Sequence, residues 1–399
     1  MSPYTRRRRL SGVSLIELMV GMAIGLLAVL VITQVTTVFE ARKRQTATGS
    51  DAQLNGALAL HTLQRDVEMS GYGLTSGGVL GCTEIRGARS GTDYNRTMAA
   101  VLITQGSGAS GTETGQADAI QLLMSSQSSF SLPMRLRENH TRQDTQFVLT
   151  ERTNVGNRQG DLLLVVPNAT AASSPSPSPT NQVSPNWCTL AMINTDPATT
   201  GDNLTHGTAG GAWNQDVGTT KFPGTLNNDV SYAAGSYVIN LGTLIDRCYF
   251  VAGSNQRCGL VADSSESAYS LHQRTFSTTD GSTTNEELFA NIVNLQATYG
   301  LDTNADGSVD SWTTTTPTTA AGWNQVLAVR IGVLSRASQY DQDEVTDAAP
   351  TWQPDGQSNL AFTLPPCPSG EATCWKHYRY RVFESVVPLR NMLWQARQS

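Results

Sequence analysis

The sequence predicts an α+β protein, with one long amino-terminal helix followed by a large antiparallel, β-rich head. Three observations predict it. Residues 13–32 are continuously apolar except for Ser14 and Glu17. Residues 40–70 carry Leu54, Ala57, Leu60, Leu63 and Val67, apolar side chains spaced three to four apart, as one stripe of a helix requires. From residue 74 onward, short apolar or alternating runs are bounded by Gly, Asn, Asp, Ser and Pro. Composition agrees. Of 399 residues, 39% are hydrophobic and 15% charged, with 35 Gly and 16 Pro. That balance suits an extracytoplasmic β-rich head better than a helical cytosolic enzyme.

The amino terminus divides by physical character. Residues 1–12 form a basic leader with four consecutive arginines, Arg6 to Arg9, which hold this end in the cytoplasm. Residues 13–38 form the membrane half of the helix, because about twenty helical residues span a bilayer's hydrocarbon core. Residues 39–71 form its distal half, and 72–399 the head. Ordinary secretory signals are cleaved after their apolar stretch. Here Gly12 stands before it, so cleavage at Gly12 leaves the apolar segment on the mature chain. Glu17 is then a carboxylate in an apolar segment, costly unless partnered and so a functional candidate. Cleavage creates a partner, the new α-amino group of Val13. The amine of one subunit neutralising Glu17 of the next would favour one axial stagger. Gly21 and Gly25 make a Gly-x-x-x-Gly pair. Such a pair permits close helix packing, but glycines are frequent in membrane helices.

Ser70-Gly71-Tyr72-Gly73 ends the helix, with Gly71 just past its last turn. Gly49 and Gly56 weaken it internally. Expected strands are Ala119–Met124, Gln146–Thr150, Asp161–Val166, Cys188–Ile193, Arg247–Ala252, Ala268–Arg274, Val293–Tyr299, Val326–Leu334 and Tyr378–Val387. The Ser/Pro-rich stretch 171–185 cannot build a core and reads as an exposed loop. Residues 199–235, rich in Gly, Asn and Thr, read as irregular.

The six cysteines, Cys82, Cys188, Cys248, Cys258, Cys367 and Cys374, contain no Cys-x-x-Cys and have no histidine at zinc spacing. An even number behind an export signal fits disulfides. Six cysteines allow many pairings. The local candidates are Cys248–Cys258 and Cys367–Cys374, which leave Cys82 with Cys188; buried free thiols are the alternative. Asp302, Asn304, Asp306, Ser308 and Asp310 place oxygen ligands as an EF-hand loop does, with Gly307 at the sharp turn. This pattern predicts Ca²⁺ at 302–310. Thr313 stands where an EF-hand has its bidentate Glu, and flanking helices are not evident, so a loop between strands with weaker binding is expected. The five histidines, His61, His140, His206, His272 and His377, form no close pair in the sequence. Neither a His-Glu-x-x-His, a Gly-x-Ser-x-Gly nor a P-loop is present. Gly-rich 106–111 lacks the lysine of a phosphate cradle. Trp312, Trp352 and Trp375 are read as core by default, with glycan or partner binding as the alternative. The formal charge is -6 with four arginines in the leader, which argues against coating nucleic acid.

Gly12-Val13-Ser14-Leu15-Ile16-Glu17-Leu18 is similar to the type III signal of type IV prepilins and type II secretion pseudopilins. The resemblance implies a pilin-like fold, cleavage after Gly12 by a membrane prepilin peptidase, methylation of Val13, and Glu17 as the assembly residue. Val13 departs from the family's usual Phe. Arg65-Asp66-Val67-Glu68-Met69-Ser70-Gly71-Tyr72, followed by Gly81-Cys82, resembles the helix end of PilW-type minor pilins. Tyr299-Gly300-Leu301-Asp302 resembles that family's middle region. Val329-Arg330-Ile331, Arg379-Tyr380-Arg381-Val382-Phe383 and Pro388-Leu389-Arg390-Asn391 resemble its closing strands. The stretch 85–285 resembles nothing identified.

The PilW resemblance implies a non-enzymatic, low-abundance subunit that helps start type IV pilus assembly. Its implied partners are other minor pilins, the major pilin, a PilY-type tip adhesin, the prepilin peptidase and the inner membrane. Its implied location is the inner membrane, head in the periplasm, then the pilus tip at the cell surface. A J-type secretion pseudopilin, usually much shorter, is the alternative within the superfamily. A membrane-anchored periplasmic enzyme or binding protein is the alternative outside it.

Overall fold

The computed structural model describes residues 14–74, 82–90, 92–106, 115–126, 133–141, 144–150, 156–168, 187–201, 203–207, 212–214, 232–260, 269–352, 360–368 and 371–392. The chain divides into two compact units, residues 1–51 and 52–399. Helix α1, Leu15–Met69, supplies most of the described part of the first unit and opens the second.

In the first unit the apolar side chains of α1 are exposed throughout, from Leu15 at 77% to Phe39 at 70%. Three threonines in this stretch do not interrupt its apolar character. Thr33 Oγ1 donates to the carbonyls of Val29 and Leu30, Thr36 Oγ1 to that of Ile32, and Thr37 Oγ1 to that of Gln34. Each hydroxyl is thus satisfied on its own helix.

In the second unit α1 packs one narrow face into the head. The buried residues other than Asp66 are Ala52, Gly56, Ala59, Leu63 and Val67, spaced four, three, four and four apart. This corrects the expected stripe. Leu63 and Val67 are in it, but Leu54 is 59% exposed and Ala57 is exposed too. Size explains the shift. The Phe383 ring lies so close to Gly56 that a Cβ there would sit 2.3 Å from its Cε2. Small residues admit this approach and a leucine does not. Gly56, expected to weaken the helix, is the notch that receives the head. The helix ends as expected at Gly71, whose φ is +74°. Its N–H leaves the helix to bond the Leu123 carbonyl at 2.8 Å.

The head's strands in chain order are β1 (Glu84–Arg89), β2 (Thr92–Thr97), β3 (Val101–Gly106), β4 (Gln116–Ser125), β5 (Met134–Arg135), β6 (Gln146–Val148), β7 (Leu162–Val166), β8 (Cys188–Met192), β9 (Asn203–Thr205) and β10 (Tyr237–Gly242). They continue as β11 (Leu244–Val251), β12 (Ser270–Ser277), β13 (Thr283–Ala290), β14 (Ile292–Leu301), β15 (Ser311–Thr313), β16 (Val326–Arg336), β17 (Thr351–Trp352), β18 (Leu360–Ala361) and β19 (Tyr380–Pro388). Three sheets dominate, with orders β2-β1-β8-β7-β10-β5, β13-β12-β11-β4-β3 and β15-β14-β16-β19. Pairing is antiparallel except between β1 and β8, where Ile85 faces Cys188 in parallel register. The largest core cluster joins Leu63 and Val67 of α1 to residues of all three sheets, among them Leu164, Ile120 and Val329. A second cluster, around Phe147, Leu163, Leu204 and Tyr232, lies under β6, β7 and β9.

All nine expected strands overlap observed ones. Residues 203–205, expected to be irregular, form β9 and pair with β6 through Phe147 and Leu204. The stretch 171–185 lies outside the described residues.

Candidate functional site

The amino-terminal candidates fall on both sides of the described boundary. Gly12 and Val13 lie outside the described residues. Glu17 lies in the first turn of α1, where the Ser14 carbonyl accepts the N–H groups of Glu17 and Leu18, each at 3.0 Å. Glu17 is the one ionisable side chain between Leu15 and Phe39. The span Leu15–Glu40, 26 residues with a mean hydropathy of 2.7 over its most apolar 18-residue window, is long and apolar enough to cross a membrane. A Cβ placed on Gly21 or Gly25 would meet nothing within 4 Å. Neither glycine is therefore required by packing within the chain.

The head end of α1 is fastened by charge as well as by apolar contact. Asp66 is buried, and its Oδ2 accepts from Arg247 Nη1 at 2.8 Å and from the Tyr249 hydroxyl at 2.5 Å. Burial, reinforced by the bond to Asp66, pushes the Tyr249 hydroxyl far up, so it stays protonated and donates. Glu68 pairs with Arg390 at 3.0 Å, Gln64 bonds Ser385, and Asn391 Nδ2 donates to the Met69 and Ser70 carbonyls at 3.3 and 2.9 Å. Asn391 thus satisfies carbonyls that the helix end leaves open. The motif at 65–72 and the motif at 388–391, far apart in sequence, meet here.

The middle motif at 299–302 and the motifs at 329–331 and 379–383 fall on or beside one sheet. Arg330 on β16 faces Val386 on β19 and pairs with Glu384. Tyr299 on β14 accepts the Ile103 N–H at 2.6 Å, and burial pushes its hydroxyl up to about 12. Between β3 and β14, Asp118 accepts the N–H groups of Gly106 and Ala297, both at 2.8 Å. Burial outweighs those two bonds and pushes its carboxyl up to about 7. Of the Gly-rich 106–111, only Gly106 is described, and it ends β3.

The acidic loop joins β14 to β15 and is closed by its own hydrogen bonds. Asp302, 5% exposed, accepts from the backbone of Asp306 at 3.2 Å and Gly307 at 2.8 Å. Asn304 Oδ1 accepts from Asp306 N–H at 2.9 Å, Asp306 Oδ1 from Ser308 N–H at 2.8 Å, and Asp310 Oδ2 from Thr303 N–H at 2.7 Å. The Thr303 N–H and hydroxyl, both donating to Asp310, hold its carboxyl below its usual value. The Asn304 amide also donates to Asp306 Oδ2 and Asp310 Oδ1, each at 3.2 Å, so the loop's carboxylates are engaged within the loop. Among the described residues, no group of three or more His, Cys, Asp or Glu side chains is placed to hold a metal ion.

The cysteines pair as Cys82–Cys188, Cys248–Cys258 and Cys367–Cys374. The first lies beside the parallel β1–β8 contact. Trp352 is core at 1% exposed, and Trp312 packs against Gly300. The structure brings together one pair that the sequence separates: His140 Nε2 lies 2.7 Å from His206 Nε2, both rings against Phe147. Burial pulls His140 down to about 3, so it is neutral at neutral pH. The two positions are 66 apart in sequence, and the β6–β9 pairing brings them together.

Comparison with known proteins finds one partial likeness. No significant match to a curated protein or to a solved structure was found. Residues 260–391 match the family model of the type IV pilus-assembly protein W. That segment contains β12 to β19 and the Asn391 contact to the helix end. The matched segment, about a third of the chain, is similar to that family of pilus-assembly proteins.

Proposed function

We propose that this chain is a minor pilin that primes assembly of a type IV pilus and takes its place at the tip. The reading rests on one observation above the rest. An exposed, membrane-length apolar helix carries a single carboxylate, Glu17, one turn from its start, and leads into a β-rich head with a PilW match. An isolated carboxylate in an apolar environment costs several kcal/mol, on the order of the values for intramembrane charges. A neighbour's free amine at Val13 would remove that cost at one stagger only. In this reading residues 1–12 are removed, 13–38 lie first in the inner membrane and then in the filament, and the head contacts other pilins and a PilY-type adhesin. Glu17→Ala tests it. Pili sheared from cells should lack the variant while the membrane fraction retains it, disulfide-bonded and folded. Normal incorporation of Glu17→Ala would reject the proposal.

Ca²⁺ at 302–310 is proposed as a stabiliser of this head, supported by the oxygen-rich, pre-closed loop. Ca²⁺ should raise the melting temperature of the wild type and leave that of Asp306→Ala unchanged. A wild type indifferent to Ca²⁺ rejects it.

A further inference from the structure

Asp246 lies on β11, fully buried, and two guanidinium groups share its carboxylate. Oδ2 accepts from Arg96 Nε at 2.8 Å and from the Tyr94 hydroxyl at 3.3 Å. Oδ1 accepts from Arg274 Nη2 at 2.7 Å and from Gln121 Nε2 at 2.8 Å. Four donors saturate a carboxylate. The cluster therefore holds two cations and one anion, and the anion has no capacity left. Arg274 is the more enclosed, its side chain 7% exposed against 26% for Arg96. Its Nε is buried and, among the described residues, has no hydrogen-bond partner. A buried, incompletely compensated cation is costly, and a second oxyanion would remove that cost.

A cavity of about 460 Å³ lies against these arginines. Arg96, Arg274, Gln121, Gln256, Thr104 and Gly259 line it, and among the described residues none of its lining is acidic. Strand register explains why it is rigid. Cys248 stands between Gln121 and Arg274 on adjacent strands. The Cys248–Cys258 disulfide then ties the 256–259 wall over that same face. Arg96 is held against the Tyr94 ring at 4.6 Å, and its Nη1 donates to the Asn95 carbonyl at 2.9 Å.

We propose that this cavity binds a small, hydroxyl-bearing carboxylate of sugar-acid size. The planar fork of a guanidinium matches a carboxylate. The single excess positive charge matches a monoanion better than a phosphate dianion. Gln121 Oε1, the Gln256 amide and the Thr104 hydroxyl supply hydrogen bonds for hydroxyl groups. The volume lies in the range of small-ligand sites. The proposal concerns the head alone and stands whether or not the chain enters a pilus.

Calorimetric titration of the full chain in detergent tests it, using sodium glucuronate, with glucose and inorganic phosphate as controls. Saturable glucuronate binding at one site per chain is expected, with no glucose binding and weaker phosphate binding. Gln256→Glu adds a like charge to the wall without touching the Asp246 cluster and should weaken glucuronate about tenfold. Arg274→Gln should abolish binding; if it does not fold, Gln256→Glu decides. Absence of glucuronate binding to folded wild type, binding unchanged in Gln256→Glu, or phosphate binding tighter than glucuronate would each overturn the proposal.

Discussion

The two ends of α1 obey one backbone geometry and opposite surface rules. From Leu15 to Phe39 the large apolar side chains are exposed and the helix has no inward face. From Ala52 to Val67 the buried positions are mostly small, and the large Leu54 is outside. Apolar residues on every side of a helix require an apolar solvent or other chains around it. A narrow face of Ala, Gly and Ala requires close contact with a preformed body. Hydrophobicity thus marks the first segment, while side-chain size marks the second.

Predictions that bear on this contrast run from large to small. The body that receives α1 depends most on its longest cross-link. Replacing Cys82 and Cys188 by Ala opens a loop with separation 106 and should cost about 4–5 kcal/mol in denaturant unfolding. The same change at Cys367 and Cys374, separation 7, should cost about half as much. Equal losses would show that the long cross-link has no special weight in the head. Next, Leu63→Ala should cost about 2–5 kcal/mol of head stability. Leu26→Ala should stay within about 0.5 kcal/mol. A comparable loss from Leu26→Ala would erase the distinction between the segments. Asp66→Asn removes the charge shared by Arg247 and Tyr249 and should cost about 1.5–3 kcal/mol, Arg247 being one-third exposed.

Acid dependence too belongs to the head, where two groups of opposite sign largely offset each other. His140 has its folded pKa lowered to about 3, so between there and 6.5 the unfolded chain binds the extra proton. Stability from this group is lost as pH falls through that window. Asp118 has the opposite sign. Its folded pKa is raised to about 7, so between 3.8 and 7 the folded chain holds the extra proton and acid adds stability. The two oppose each other from pH 6.5 to 4. Asp118→Asn should remove the offset, giving a melting temperature that falls more steeply on acidification than in the wild type. Parallel profiles would contradict these assignments.

Legibility in the sequence follows locality. The Leu15–Glu40 span was readable because a membrane-length run is a property of adjacent residues. The nine expected strands were readable because they are apolar. Strands β2 and β13 were not, since Thr-Asp-Tyr-Asn-Arg-Thr and Thr-Thr-Asn-Glu-Glu-Leu-Phe-Ala lie at sheet edges and expose half or more of their residues. Strand β10 has an apolar core but directly follows the Gly/Asn/Thr-rich stretch. The stripe on α1 was misplaced because Ala52, Gly56 and Ala59 score low for hydrophobicity yet set the closest approach. The Asp246 cluster and the His140–His206 pair were hidden because strand pairing, rather than spacing, brings their members together.

The most direct test of the central claim is mass spectrometry of the amino terminus of the chain purified from its own cells. The account predicts a mature chain beginning at N-methylated Val13, whose amine is the partner Glu17 needs. An intact Met1, or cleavage beyond residue 32 that removes Glu17 with the apolar segment, would contradict it.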